Sequence, residues 1–234
     1  MVYKYAQWLQ SLLFPSHCRL CGDATGTTLR LCPRCLADSP WISHACSQCS
    51  LPLPADAADS HCGRCQQRPP AFDATTALFH YQPPVDYLIK QLKFANELAI
   101  IPLLSVLLSE RLSTRLTPLP ALLVPVPLHH TRLRERGFNQ ATELARRIGR
   151  ELGIRSDHRL CRRNRNTRPQ SLLSPNARRL NLRNAFSVQG RDVAGHVAII
   201  DDVMTTGHTS NELARVLKQA GAEQVEVWVI ARAG

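Results

Sequence analysis

The stretch "VAIIDDVMTTGHTSNE", residues 197–212, decides the fold of this chain. Four apolar residues come first, Asp201 and Asp202 follow, and a turn rich in hydroxyl groups then surrounds Gly207. This order is typical of a buried strand that passes through a short loop into a helix. The start of such a helix presents free backbone N–H groups and the positive end of the helix dipole, so the sequence predicts a phosphate-binding loop.

The side chains of this loop suit two parts of one ligand. Hydroxyl groups at Thr205, Thr206 and Thr209 can donate hydrogen bonds to phosphate oxygens. The paired carboxylates suit neighbouring sugar hydroxyls, directly or through a divalent cation such as Mg²⁺, and their place at the mouth of a strand predicts that packing does not need their charge. A ribose 5-phosphate unit has both parts. The alternative is a solvated turn in which Thr or Asp caps the helix.

The segments on either side alternate between apolar strands and helices. The expected strands cover residues 74–81, 121–128, 196–200 and 224–232, and the expected helices cover 85–94, 98–112, 139–153 and 209–221. Continuous apolar strands separated by helices indicate a parallel sheet that is covered on both faces. We therefore predict an α/β fold with ligands at the carboxyl ends of the strands.

The composition points to acidic partners. The 234 residues carry a formal net charge of +11, which suggests phosphate esters, nucleic acid or an anionic membrane face. No apolar run is long enough to span a bilayer, so no membrane insertion is predicted. The N-terminal "MVYKYAQWLQSLLFP" is interpreted as a short amphipathic helix rather than a signal peptide, and a cytoplasmic location is expected.

Eight of the nine cysteines form four pairs with two residues between the partners. The pairs are Cys18 and Cys21, Cys32 and Cys35, Cys46 and Cys49, and Cys62 and Cys65. Each pair makes a tight knuckle, and two knuckles supply the four ligands of a structural Zn²⁺ site. Two zinc ions on consecutive sets of four cysteines are the preferred arrangement. Cross-braced pairing, disulfides and redox motifs are the alternatives.

The residues next to these knuckles are given structural roles. Cys161 is expected to be a small buried core residue, and His61 is a weaker ligand candidate than the adjacent Cys62. The Pro-Pro pair at 69–70 ends the cysteine-rich part. An N-terminal helix and double zinc ribbon are therefore predicted over residues 1–70, and the α/β domain over 71–234.

Taken together, the motifs resemble a known family. "VAIIDDVMTTGHT" resembles the loop by which type I phosphoribosyltransferases bind 5-phosphoribosyl 1-pyrophosphate (PRPP), and the whole chain resembles the ComF family, including proteins called GntX. The likeness extends over "LLFPSHCRLCG", the later knuckles, "LIKQLKF", "VPVPLHHTRLRERGFNQA", "TRPQSLL" and "LNLRNAF". It implies a type I phosphoribosyltransferase-like sheet over 71–234 and a role in DNA uptake or utilisation.

The resemblance implies roles for the acids and the turn. Asp201 and Asp202 would hold the ribose hydroxyls with Mg²⁺, and the turn at 205–209, including Gly207 and His208, would hold the 5-phosphate. No protein nucleophile is required, because an acceptor nitrogen displaces pyrophosphate at the anomeric carbon of PRPP.

A second loop follows the strand expected at 121–128, where such transferases bind pyrophosphate. Groups around Leu128 and His129, with Arg132 or Arg134, would hold the diphosphate, and a polar turn is the alternative for His129 and His130. Further along, Arg136, Asn139 and Gln140 are expected to face the cleft and Phe138 to lie in the core. Lys90 and Lys93 suit a solvated surface and the cleft equally.

Residues 162–183 contain seven arginines and no acid. The resemblance implies a flexible loop that closes over the substrate. Binding of single-stranded DNA is the competing use, because arginines contact phosphates and bases alike.

Two classes of function remain after these observations. One is a phosphoribosyltransferase that acts on a nitrogen acceptor. The other is a non-catalytic PRPP or nucleotide sensor that binds single-stranded DNA or a helicase-like DNA uptake protein.

Overall fold

The computed structural model describes residues 16–25, 29–57, 60–115, 118–165, 185–190, 193 and 195–234. The helix expected at the N-terminus and residues 166–183 of the arginine-rich stretch lie outside these ranges. Within them, no helix has the length and apolar character needed to cross a bilayer.

The cysteine-rich part is built from short elements. A two-stranded antiparallel hairpin comes first, and each set of four cysteines also contains one short helix. These elements are β1 (Ser16–His17), β2 (Ala24–Thr25), α1 (Pro33–Ala37) and α2 (Gly63–Gln67). The two helices begin directly after Cys32 and Cys62, which occupy their N-cap positions.

A five-stranded parallel sheet forms the centre of the second part. Its strands are β3 (Ala74–His80), β4 (Leu122–Pro125), β5 (Arg155–Ser156), β8 (Gly195–Met204) and β9 (Ala222–Arg232). The strand order is β3-β9-β8-β4-β5, and every neighbouring pair is parallel. A separate antiparallel hairpin consists of β6 (Cys161–Arg163) and β7 (Phe186–Val188).

Helices cover both faces of this sheet. They are α3 (Val85–Phe94), α4 (Ile100–Ser113), α5 (His130–Arg136), α6 (Gln140–Leu152) and α7 (His208–Gln219). Alternate residues of β8 face opposite sides, as expected for a strand with period two. Val197 packs in the cluster that contains Leu213 and Leu217 of α7, whereas Ala198 packs in the cluster that contains Leu92 and Leu108. The predicted α/β architecture is thus confirmed.

Several boundaries differ from the sequence-based expectation. β4 ends at Pro125, three residues earlier than predicted, and Pro127 lacks the N–H group that a ladder would use. β8 continues to Met204, so the two acids lie inside the strand and not beyond it. Helix α5 was not expected, and it ends at Gly137, whose φ of 80° suits glycine.

Candidate functional site

Two four-cysteine zinc-binding sites lie in the N-terminal part. The first brings together the sulfurs of Cys18, Cys21, Cys32 and Cys35, and the second those of Cys46, Cys49, Cys62 and Cys65; within each set all sulfurs lie within 4.8 Å of one another. The Cys21–Cys32 and Cys49–Cys62 Sγ–Sγ distances are both 3.7 Å. Tetrahedral bonds of about 2.3 Å separate sulfurs by about 3.8 Å, so the spacing fits Zn²⁺. The consecutive pairing is confirmed.

The two residues judged non-ligating from sequence stay outside these sites. His61 is exposed, and its ring nitrogens contact the hydroxyls of Ser47 and Ser60. Cys161 is buried with 4% of its surface exposed, and burial raises the pKa of its thiol to about 12.

Asp202 is paired with a lysine near the end of β8. Its carboxyl is only 3% exposed, and its Oδ2 lies 2.7 Å from Lys93 Nζ on α3. The other oxygen, Oδ1, accepts a hydrogen bond from the backbone N–H of Val203 at 2.9 Å. The expectation that packing does not need the charge is therefore wrong for Asp202, because its removal would leave the Lys93 ammonium without this counterion.

Asp201 is the more accessible of the two acids. Its Oδ1 accepts the backbone N–H of Asp202 at 2.9 Å. Burial first, and then the negative charge of Asp202, raise the pKa of Asp201, while Lys93 acts in the opposite direction. A carboxyl whose charge is disfavoured in this way gains from any added cation, so the position suits a divalent ion shared with ligand hydroxyls.

Two arginines, in addition to Lys93, lie near this acid pair. Arg163 on β6 and Arg136 on α5 are close enough for Asp201 and Asp202, respectively, to act on their pKa values. Burial, followed by the charge of Arg132, lowers the pKa of Arg163 to about 10. This combination of acids and arginines suits a ligand that carries several negative charges.

The turn after the acids has the geometry expected of a phosphate loop. Gly207 adopts a φ of 76°, a conformation that favours glycine, and helix α7 begins at the next residue. One small recess here is lined by Asp201, Thr205, Gly207, His208 and Thr209. The structure therefore brings Asp201 and four of the five predicted turn residues to the same place, whereas Thr206 lines the cavity beside the second zinc site.

The loop after β4 is stabilised mainly by its own contacts. His129 is buried, and its Nδ1 accepts the backbone N–H of Thr131 at 3.4 Å, which caps helix α5. Burial, then the charges of His130, Arg163 and Arg132, lower the pKa of His129. His129 thus makes the polar turn that was its alternative interpretation, with Arg132 and Arg163 close by.

The side chains of Asn139 and Gln140 also make hydrogen bonds within the protein. Asn139 Nδ2 donates to Val126 O at 3.0 Å, and its Oδ1 accepts from Ala141 N at 3.0 Å, so the residue joins the end of β4 to the start of α6. Gln140 is buried and accepts from Arg136 Nη1 at 2.6 Å. Phe138 packs against the core, as predicted.

Two site residues were not singled out from the sequence. From the sequence, Lys93 and Lys90 suited the surface and the cleft equally. In the structure, Lys90, one turn before Lys93, is exposed and pairs with Asp86 at 2.7 Å. The spacing of buried Leu88, Ile89 and Leu92 places Lys93 on the covered side of α3 and was the available signal. Arg163 was grouped with the arginine-rich stretch, and no local pattern distinguishes it from exposed Arg162.

Two cavities flank the site. One, of about 330 Å³, lies between the loop after β4 and the β6–β7 hairpin, with Leu128, Asn139 and Arg163 in its wall. The other, of about 370 Å³, lies between the phosphate loop and the second zinc site, with Arg64 and Gly207 in its wall.

Comparisons with known proteins agree with these features. Residues 9–66 match a family model described as "Double zinc ribbon domain". DNA utilization protein YhgH of Escherichia coli K12 is 39% identical over 92% of this chain and 89% of its own length. Competence protein F of Haemophilus influenzae is 34% identical over 93% of this chain and 96% of its own length.

Solved structures give a weaker likeness. Adenine phosphoribosyltransferase from Leishmania tarentolae is 13% identical, with a TM-score of 0.41, over 68% of this chain and 91% of its own. Because both the identity and the TM-score are low, nothing about the chemistry of this chain follows from that likeness.

Proposed function

This chain belongs to the ComF family, the family of Competence protein F and DNA utilization protein YhgH, and from this premise we propose that it binds PRPP with Mg²⁺ and transfers the phosphoribosyl group to a nitrogen acceptor. One observation carries the proposal. The acid pair at the end of β8 is followed directly by the Gly207 turn and the start of α7, and Lys93, Arg136 and Arg163 lie near it. Phosphate, diol and diphosphate each have a chemically matched partner in that arrangement.

The 5-phosphate binds at the turn in this proposal. Backbone N–H groups at the start of α7 and the hydroxyls of Thr205 and Thr209 donate to its oxygens. Asp201, the more accessible acid, accepts from the ribose hydroxyls. Lys93 holds the carboxyl of Asp202 in place beside it through their ion pair.

The reaction is a substitution at the anomeric carbon. The bond between C1 and the diphosphate oxygen breaks, and the diphosphate leaves with the electron pair. A C1–N bond forms, and the acceptor nitrogen releases a proton to water. Arg132, Arg136 and Arg163 stabilise the charge that develops on the diphosphate. Mg²⁺, when bound beside the acids, would neutralise part of that same charge.

The test is calorimetric titration of the zinc-loaded protein with PRPP and Mg²⁺. Asp201→Asn should weaken PRPP affinity at least tenfold, because a charge-assisted hydrogen bond contributes about 1.5–3 kcal/mol. Asp86→Asn, which removes a carboxylate from the surface of α3, is the matched control. Wild-type affinity in a folded Asp201→Asn protein would contradict the proposal. Pyrophosphate release with candidate acceptors then separates an enzyme from a PRPP sensor.

A second candidate function is binding of single-stranded DNA, alone or with a helicase-like DNA uptake protein. The names of the two relatives refer to DNA utilization and competence. In this chain, the exposed Arg162 and Arg165 on and beside the β6–β7 hairpin support the proposal. Both functions are compatible, since the acid pair and these exposed arginines are different groups.

A further inference from the structure

The second zinc ribbon, residues 46–65, is hydrogen-bonded directly to the phosphate loop, residues 204–209. Arg64 lies in helix α2 between two zinc ligands, and its Nη2 donates to the carbonyl oxygen of Thr206. Arg232, at the end of β9, donates from Nε to Cys49 O at 2.8 Å. Its Nη1 donates to Met204 O at 3.3 Å and to Thr205 O. Three consecutive carbonyls of the loop therefore accept hydrogen bonds from two arginines attached to this ribbon.

Burial makes the Arg232 contacts costly to remove. Only 2% of the Arg232 surface is exposed. A buried guanidinium needs acceptors for its N–H groups, and removal of those acceptors is strongly unfavourable. Cys49 supplies one of them through its backbone while its sulfur belongs to the second zinc site. The zinc site and the loop therefore share one buried cation.

The ribbon itself is held against the sheet. Thr75 of β3 donates from Oγ1 to Gln48 O at 2.7 Å and from its backbone N–H to Ser47 O at 3.2 Å. Ser50 Oγ donates to Thr75 O at 2.7 Å. These contacts surround the knuckle between Cys46 and Cys49, so the position of that knuckle depends on both the sheet and the zinc ion.

The direction of the carbonyls determines the direction of the neighbouring N–H groups. In a trans peptide unit the C=O and N–H bonds point in opposite directions. Arg232 draws the Thr205 carbonyl towards the ribbon, so the N–H of Thr206 points away from it. Arg64 acts in the same way on the Thr206 carbonyl and the N–H of Gly207. Gly207 lines both the cavity on the ribbon side and the recess beside Asp201.

We infer that Arg64 and Arg232 are positioning residues that make the second zinc ribbon part of the phosphate site. The inference rests on the proposed function and adds that phosphate affinity depends on zinc at the second site. With zinc at the second site, the loop N–H groups are held ready for a phosphate group before it binds. Without that zinc, the knuckle moves, the two arginines lose their anchor, and the loop carbonyls are no longer held. Affinity for phosphate esters then falls.

The first zinc ribbon, residues 18–35, provides a natural comparison. Its cysteines Cys18 and Cys32 pack in the core cluster on the other side of the sheet from Met204. Arg19 of this ribbon pairs with Glu97 at 3.0 Å, outside the phosphate loop. Only one of the two zinc ions should therefore respond to a ligand at the loop.

Because of thermodynamic linkage, the inference can also be tested by measuring zinc affinity. If zinc at the second site raises phosphate affinity, the phosphate ligand must raise the affinity of that site for zinc by the same factor. Equilibrium transfer of zinc to a chromogenic chelator should be followed in the full-length protein, with and without saturating ribose 5-phosphate. Protection of one zinc equivalent by about tenfold, with the other unchanged, is the expected result.

Two substitutions of Arg64 test its part in the effect. Arg64→Ala should bind ribose 5-phosphate about tenfold more weakly and lose the zinc protection, and Arg64→Lys should recover part of both. Arg68→Ala is the matched control, because it removes an equal charge from the end of the same short helix and from the same cavity wall. Zinc content and the thermal midpoint should be equal in all three variants.

The possible failures are distinguishable. Equal release of both zinc ions with ligand present would overturn the coupling and leave the proposed function standing, and wild-type ribose 5-phosphate affinity in Arg64→Ala would overturn the role of Arg64. No binding of ribose 5-phosphate or PRPP by the wild-type protein would overturn the proposed function and the coupling with it.

Discussion

Lys93 Nζ lies 2.7 Å from Asp202 Oδ2, and the two side chains join helix α3 to the end of β8. Their relative exposures are 21% and 3%, so the pair is largely removed from water. A buried pair of this kind is strongly destabilising to break from one side, because the remaining charge has no partner. Asp202, one of the two acids singled out from the sequence, is thus part of the protein's internal structure.

Replacement of Lys93 should therefore destabilise the protein. We expect Lys93→Gln to lower the free energy of unfolding by about 3 kcal/mol. Lys90→Gln, one turn away, should change it by less than about 0.5 kcal/mol, since its pair with Asp86 is solvent-exposed. Urea unfolding of both variants measures the difference. The double variant Lys93→Gln with Asp202→Asn should recover most of the stability, and failure to do so would contradict the pairing.

The sheet was predictable because its strands have a strong local signal. Val197 to Ile200 are apolar on both sides, which is typical of a strand covered by two layers, and Gly153 ends α6 in a left-handed conformation as its sequence position indicated. The knuckle spacing of Cys62 and Cys65 similarly requires only local geometry. These features depend on residues that are close together in the chain.

The contacts around the site were not predictable for the opposite reason. Arg64 and Thr206 are far apart in sequence, and no pattern near either residue predicts the hydrogen bond between them. The sequence left His129 open between a place beside the diphosphate and a polar turn, and it did not indicate that its Nδ1 would cap α5. Long-range hydrogen bonds follow from the packing of the whole chain, whereas caps and knuckles follow from a few neighbouring residues.

The purified protein should contain two zinc ions. Eight thiolates in two tetrahedral sets provide two complete coordination shells. Metal analysis gives the stoichiometry, and alkylation followed by mass spectrometry gives the thiol state. Cys161 should resist alkylation in the folded protein because burial raises its pKa to about 12. One zinc per chain, or disulfides in freshly prepared protein, would contradict this prediction.

The arginines near the β6–β7 hairpin should divide between two functions. Arg162 and Arg165 are exposed, whereas Arg163 is half-buried beside Phe186, at 5.6 Å from the ring centre. Arg162→Ala with Arg165→Ala should lower the slope of the salt dependence of single-stranded DNA binding by about 1.4, because each phosphate that an arginine neutralises contributes about 0.7. Fluorescence anisotropy over a range of salt concentrations measures that slope.

Arg163→Ala should give the reverse pattern. PRPP affinity should fall several-fold, because Arg163 lies near Asp201 and Arg132, while the slope of DNA binding changes little. Equal effects of the two sets on both ligands would show that the arginines form one undivided surface. Undetectable DNA binding at low salt would assign all three residues to the PRPP site. Arg168 also belongs to the arginine-rich stretch, but it lies outside the described residues.

A buried carboxylate at the opposite end of the sheet should make stability depend on pH. Glu226 on β9 is 2% exposed and accepts two hydrogen bonds from Arg115, at 2.5 and 2.6 Å, and one from Trp228 at 2.8 Å. Burial alone would raise the pKa of Glu226, but the bonds from Arg115 and Trp228 outweigh it, and the pKa is lowered. The ionised form is therefore favoured in the folded state.

The sign of the effect follows from that direction. Because the folded pKa lies below the unfolded value of about 4.3, the contribution of Glu226 is fully present above about pH 4.3 and is lost as pH falls through the folded pKa. Glu226→Gln should lower the free energy of unfolding by about 3 kcal/mol at pH 7. The difference between wild type and variant should shrink as the pH falls below about 4.3 and through the folded pKa. Zinc release at low pH affects both proteins alike and cancels in this comparison.

Glu151→Gln, which removes a more exposed pair with Arg147, is the control and should show a small difference at every pH. A difference that stays constant with pH would mean that Glu226 acts through packing and not through its charge.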